Sequence, residues 1–258
     1  MVGKVPRRWQ QLGDVVVIRL YEDECWRYRR EIGEALREAT GARSVVALRR
    51  VEGTFREPVG EVVAGDENAE TVHRELGLRF KLDPTRIMFA RGNFEERRRL
   101  LESDLSSRTV FDMFAGIGYF TLPAARAGAR VVAAELNPVA YRYLLENLEL
   151  NRVEGRVRAF LGDCREVARF VRDADLVILG YLHGTLDFLP HACAAVRDGG
   201  RLIVHEVFPK RWDEGRVARR VVEALPEGYE GEVVDVRRVK SYSPGLDHYA
   251  VELRVRRR

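Results

Sequence analysis

The chain has 258 residues, 44 basic and 40 acidic, with a net charge of +4 and an isoelectric point near 9.1. That length suits one large α/β domain plus a smaller unit, with enough chain to bury a substantial core. No apolar run reaches the roughly 18 residues of a membrane span, and the opening Met1-Val2-Gly3-Lys4-Val5-Pro6-Arg7-Arg8 is not followed by an apolar signal core, so a cytoplasmic protein is expected.

Along the chain, residues 14–20 read as a strand, 22–38 as an amphipathic helix and 44–48 as a second strand. Short strands at 60–65 and 78–82 follow, with Gly and Pro between them. Residues 1–85 therefore form a small α+β domain, expected to dock substrate. From residue 86 to 258 strands and helices alternate, as in a parallel sheet covered on both faces. A helix at 94–101 leads into a strand at 109–114. Helices at 119–127 and 138–151 alternate with strands ending at Glu135 and Asp163, and strands at 175–179 and 201–206 come next. Residues 231–239 and 248–255 read as an antiparallel pair around a loop at 241–247. A mostly parallel sheet with such an edge is Rossmann-like, of the class I methyltransferase type.

The most informative stretch is Val110-Phe111-Asp112-Met113-Phe114-Ala115-Gly116-Ile117-Gly118-Tyr119-Phe120, followed seventeen residues after Gly118 by Glu135 in Ala134-Glu135-Leu136-Asn137-Pro138. Glycines after an apolar strand let the backbone turn sharply and approach a ligand, and the next helix aims free N–H groups at it. Glu135, ending the second strand, stands where a carboxylate accepts from ribose hydroxyls. Two details favour S-adenosylmethionine over a dinucleotide. Asp112 replaces an apolar residue before the glycines, and Thr121 replaces the third glycine, whose close helix packing a pyrophosphate needs. Asp163 and Cys164 end the third strand, where an acid meets the adenine amino group.

Three cysteines, Cys25, Cys164 and Cys193, odd in number and without C-x-x-C spacing, argue against a disulfide framework or a zinc site; buried thiols are expected. His73, His183, His191, His205 and His248 are scattered without ligand spacing, so no metal is expected. Arg27-Tyr28-Arg29-Arg30, Arg97-Arg98-Arg99 and residues 254–258 fit either a phosphate-binding footprint or a solvated arginine-rich surface.

In open α/β sheets ligands bind beyond the carboxyl ends of the strands, so Leu179-Gly180-Tyr181-Leu182-His183-Gly184-Thr185 should face the transferred group. Many base-modifying methyltransferases carry Asn or Asp followed by prolines there; Leu-Gly-Tyr departs from that. His205-Glu206 lacks a second zincin histidine and is read as structural.

Together with Met88-Phe89-Ala90-Arg91-Gly92-Asn93-Phe94 and Val239-Lys240-Ser241-Tyr242-Ser243-Pro244-Gly245, these motifs resemble the archaeal tRNA wybutosine-synthesis aminocarboxypropyltransferases, relatives of the tRNA guanine-37 N1-methyltransferases. The resemblance spans nearly the whole chain. It implies an enzyme that transfers the 3-amino-3-carboxypropyl group of S-adenosylmethionine to 4-demethylwyosine in tRNA-Phe and releases methylthioadenosine. It further implies cofactor contacts from Ala90, Asn93, Arg97, Asp112, Phe114, Gly116, Gly118, Glu135, Leu136, Asp163 and Cys164. Arg97 is matched to the methionine carboxylate. Tyr181 and His183 are matched to the acceptor base or the transferred group, with His183 also a candidate base, and Tyr119 is a candidate to close over the cofactor. A monomer is expected. The competing readings are a tRNA guanine-37 N1-methyltransferase and a non-catalytic RNA-binding protein.

Overall fold

The computed structural model describes residues 8–53 and 55–258, which fall into two compact units divided between Ala90 and Arg91. The opening segment 1–7, read above as lacking a signal core, lies outside the described residues.

In the first unit β1 (Trp9–Leu12) and β2 (Val15–Arg19) form a hairpin. Two helices, α1 (Asp23–Arg27) and α2 (Arg29–Thr40), cross to β3 (Ser44–Glu52), which lies parallel to β2, and β4 (Glu57–Gly65) returns antiparallel. A separate hairpin joins β5 (Thr71–Glu75) to β6 (Leu78–Leu82). Val16, Ile18, Cys25, Val45, Ala47 and Val63 fill the core. The single helix expected at 22–38 is broken at Tyr28, whose ψ of 22° leaves the helical region. Trp26, packed on that core, is flanked by the guanidiniums of Arg29 and Arg49, 5.1 and 5.5 Å from its ring. Strands β1 and β5 are short and partly exposed, and no apolar alternation announces them.

The second unit begins with a 3₁₀ turn at Arg91–Asn93 and α3 (Phe94–Glu102). It continues through β7 (Thr109–Asp112), α4 (Thr121–Arg126), β8 (Arg130–Glu135), α5 (Pro138–Leu150), β9 (Val157–Leu161), α6 (Cys164–Ala168), β10 (Ala174–Leu179), α7 (Leu189–Ala195), β11 (Val196–Pro209), α8 (Glu214–Val222), β12 (Tyr229–Ser243) and β13 (Leu246–Arg257). The sheet order is β12-β13-β11-β10-β7-β8-β9. Five strands are parallel, and β13 is inserted antiparallel between β11 and β12. Strand β10, paired on both sides, is buried almost throughout, as its unbroken apolar run requires.

Two sequence boundaries need correction. β11 is 14 residues long, not confined to 201–206, because β13 pairs with it from Arg201 to Pro209 and an irregular stretch joins that run back to Val196. The loop expected at 241–247 is a tight hairpin: Ser243 pairs with Leu246 around Pro244-Gly245, and Tyr242 bulges out where the register shifts between Ser241 and Ser243. The order in which strands are added reverses at β7: β8 and β9 extend the sheet on one side of it, β10 and β11 on the other. The crevice beyond the carboxyl ends of β7 and β10 is therefore the topological switch point where such sheets take ligands.

Candidate functional site

The motif after β7 builds a tight cradle. Gly116 and Gly118 have φ of +57° and +103°, left-handed values that residues with a Cβ resist. A Cβ on Gly116 would lie 2.7 Å from the Tyr119 ring, and one on Gly118 2.9 Å from Leu122. Asn147 on α5 donates to the Ile117 carbonyl at 3.0 Å and pins the turn.

Asp112 is fully buried and accepts from the Thr121 hydroxyl at 2.7 Å and from Phe114 N–H at 3.3 Å. Burial pushes its carboxyl up to about 6. Thr121 therefore does more than replace a glycine: it holds the acid that shapes the turn. Glu135 accepts from Gly116 N–H through one oxygen and from Asn137 N–H through the other, both at 2.7 Å. Each oxygen keeps lone-pair capacity, and burial raises the carboxyl above its ordinary value. Asn137 caps α5, accepting from Val139 N–H at 2.8 Å, with Pro138 opening the helix.

Leu136, just after Glu135, is 47% exposed, and Leu161, paired in register with Glu135 on β9, is 52% exposed. Two uncovered leucines at the ends of adjacent strands form apolar walls suited to a flat heterocycle. Asp163 caps α6 and accepts from Arg165, at 2.8 Å from its N–H and 3.0 Å from its Nε. That pairing holds its carboxyl below the ordinary range. Cys164 is packed in the core, and burial pushes its thiol up to about 12, so only its main chain faces outward chemistry.

At the start of α3, the buried side-chain oxygen of Asn93 has no hydrogen-bond partner among the described residues, which is the mark of a polar atom awaiting a donor. One turn on, Arg97 is completely buried, and its charge acts on the Tyr119 hydroxyl, whose pKa burial raises. Ala90 is half-buried and ends the first unit; every other candidate residue belongs to the second.

On the far side of the cradle, Gly180 lies so close to Phe120 that a Cβ would meet the ring at 2.8 Å. Phe114 stacks on Tyr181 with ring centroids 5.1 Å apart and planes 17° apart, and Phe188 closes on Phe114 edge-on at 4.9 Å. His183 is exposed, with φ +67°, and its ring meets Tyr242 of the β12–β13 hairpin at 4.8 Å. Glu206, 6% exposed, accepts from the N–H groups of His183, Gly184 and Thr185 at 2.8–2.9 Å. His205 points the opposite way, stacks on Phe120 and bonds His248 between ring nitrogens 2.9 Å apart. Nothing in their spacing of 43 residues announced that pair. Among the described residues no cluster of three or more metal-ligating side chains forms.

The residues present fit S-adenosylmethionine: a cradle that a Cβ would fill, a carboxylate with spare lone pairs at the end of β8, exposed leucines beside it, and an orphaned buried oxygen one helical turn before a buried arginine. With this sheet order they define an S-adenosylmethionine-dependent transferase of the class I methyltransferase type. The chain belongs to the TRM5/TYW2 family: the TRM5/TYW2 methyltransferase domain matches residues 71–234 and the TYW2 N-terminal domain residues 1–68. It is 38% identical to the tRNA(Phe) (4-demethylwyosine(37)-C(7)) aminocarboxypropyltransferase of Methanocaldococcus jannaschii, over 97% of this chain and 98% of the relative. The crystal structure of Pyrococcus horikoshii TYW2 in complex with MeSAdo superposes with a TM-score of 0.79 at 34% identity, covering 97% of this chain and 91% of that one. That of Trm5b from Pyrococcus abyssi gives 0.86 at 32% identity, covering 97% of this chain and 76% of that one.

Proposed function

We propose that this protein transfers the 3-amino-3-carboxypropyl group of S-adenosylmethionine to 4-demethylwyosine at position 37 of tRNA-Phe, with methylthioadenosine as by-product. The observation that carries this reading is the full-length similarity to relatives named for that activity. The Leu179-Gly180-Tyr181 segment supports it by standing where base methyltransferases place Asn or Asp before prolines.

When bound, S-adenosylmethionine supplies a sulfonium with three electrophilic carbons, and orientation alone lowers a barrier by about 7–11 kcal/mol. The chain's own part is to choose which carbon is presented. Glu135 takes the ribose hydroxyls, Leu136 and Leu161 flank the adenine, and Asp163 with Cys164 borders its edge. Asp112, Phe114, Gly116 and Gly118 shape the cradle. Asn93 accepts from the methionine ammonium, Arg97 holds the carboxylate, and Ala90 contributes main chain. Tyr181 and His183 engage the acceptor base.

Phosphate contacts from the arginine-rich surface make tRNA binding weaken steeply with salt. Among the described residues no helix is long and apolar enough to cross a membrane, and a cytoplasmic monomer is the setting this reading takes. The similarity to Trm5b favours one second reading, methylation of guanine-37. Incubation with S-adenosylmethionine and, in separate reactions, tRNA-Phe carrying either 4-demethylwyosine or guanine at position 37 decides between them. Methylthioadenosine from the first substrate supports the first reading, and S-adenosylhomocysteine with methylated guanine from the second substrate, with no methylthioadenosine from the first, overturns it in favour of the second.

A further inference from the structure

We infer that Glu206 is a positioning residue: its carboxylate sets the conformation of the segment after β10 and thereby the aim of Tyr181 and His183. This rests on the proposed reading, in which that segment faces the transferred group.

Three consecutive main-chain N–H groups, from His183, Gly184 and Thr185, converge on Glu206 at 2.9, 2.9 and 2.8 Å, and Val207 N–H adds a fourth bond at 2.7 Å. Such a run of N–H groups is an anion nest, and here the protein fills it with its own buried side chain. All four of these bonds to Glu206 come from main-chain N–H groups.

The segment it holds is one the backbone resists. His183 has φ +67° and Gly184 φ +100°, and a non-glycine residue in the left-handed region persists only where surrounding bonds over-determine it. The Thr185 hydroxyl closes the other side by donating to the Tyr181 carbonyl at 2.8 Å. Tyr181 is thereby stacked on Phe114, beside the glycine cradle, and the His183 ring is delivered to Tyr242. Without the carboxylate three neighbouring N–H groups lose their acceptor, and the left-handed turn relaxes.

Glu206→Gln keeps the size and replaces one oxygen with a donor facing donors. Calorimetric binding of S-adenosylmethionine to this variant should stay within about threefold of wild type, because the bonds of Glu135 and Asn93 are untouched. The value of kcat should fall about 10²-fold, the loss a misplaced reacting group produces, with KM for tRNA changing far less. Val204→Ala is the control for stability: it is completely buried on the same strand and touches none of these bonds, so it should melt earlier yet keep wild-type kcat. Gly184→Ala strains the same turn, with its new Cβ meeting nothing closer than Asp187 at 3.6 Å. It should lower kcat without weakening donor binding and should add little to Glu206→Gln. It also reads the segment if Glu206→Gln fails to fold. Wild-type kcat in Glu206→Gln, an equal kcat loss in Val204→Ala, or additive losses in the double variant would each overturn the inference. The proposed function fails by a different readout, S-adenosylhomocysteine in place of methylthioadenosine from the wild-type enzyme.

Discussion

Arg237→Met tests how α3, the helix that carries Arg97 and follows Asn93, is tied to the sheet. From β12, Arg237 reaches Glu96 on α3 by two parallel bonds, Nε to Oε1 and Nη2 to Oε2, each 2.9 Å. It also meets Asp235 at 2.7 Å and Glu252 at 3.5 Å. The Arg237 and Glu96 side chains are 11% and 6% exposed, so water screens the pair little. Methionine keeps much of the stem volume and removes the charge, leaving Glu96 buried near two other carboxylates. Losing one partner of a buried pair costs about 3–5 kcal/mol. Asp235, 40% exposed, stays solvated, which places the cost near the lower figure. Against a total stability of about 5–15 kcal/mol, a loss of about 3 kcal/mol lowers Tm by about 6–12 °C. Urea unfolding followed by circular dichroism measures the loss. The double variant Glu96→Gln with Arg237→Met should recover most of it, since the stranded charge is gone. A single-variant loss below about 1 kcal/mol, the range of a surface pair, or strictly additive losses would refute the reasoning.

Thr121→Val removes the 2.7 Å hydroxyl bond to fully buried Asp112 and should cost about 1–3 kcal/mol in urea unfolding. Asp112 titrates near 6 in the fold, so that cost should be smaller at pH 5, where the acid is mostly protonated, than at pH 8. Burial holds the coupled imidazoles of His205 and His248 neutral, His205 pushed down to about 4 and His248 also lowered. Their stabilisation is complete above the unfolded histidine value of about 6.5 and is lost as pH falls toward 4. His248→Gln takes up no proton, so its stability should vary less over that window, by up to about 1.4 kcal/mol per pH unit; the raised carboxyl of Asp112 works in the opposite sense in both proteins and drops out of the comparison. Glu135→Gln gives up the charged acceptor of Gly116 N–H and should weaken S-adenosylmethionine binding about 10- to 100-fold by calorimetry.

The parts of the site legible in the sequence are those written within one strand, turn and helix. Asp112, Gly116, Gly118 and Glu135 stand at strand ends that apolar runs mark out, and glycine there answers a backbone demand visible locally. Asn137-Pro138 is likewise a local helix-start signal, and a reading of caps would have found it. Leu161 was overlooked because an apolar residue at a strand end looks like core until its register beside Glu135 shows it exposed. For Asp163 the chain suggested an acid at a strand end facing the adenine amino group; its engagement with Arg165 depends on where α6 begins.

Periodicity and the glycine motif by themselves determined a Rossmann-like α/β sheet, the order of its elements and the class of cofactor, because those features rest on backbone sterics and on apolar spacing a few residues apart. Only the tertiary structure decided that Glu206 holds the segment at 183–185, that His205 meets His248, that Tyr242 reaches His183, and that Arg237 anchors Glu96 141 residues away in the chain. Each of those contacts comes from strand register and crossover. A buried polar group takes whichever partner the assembled sheet brings within hydrogen-bond reach, and sequence spacing carries no record of that distance.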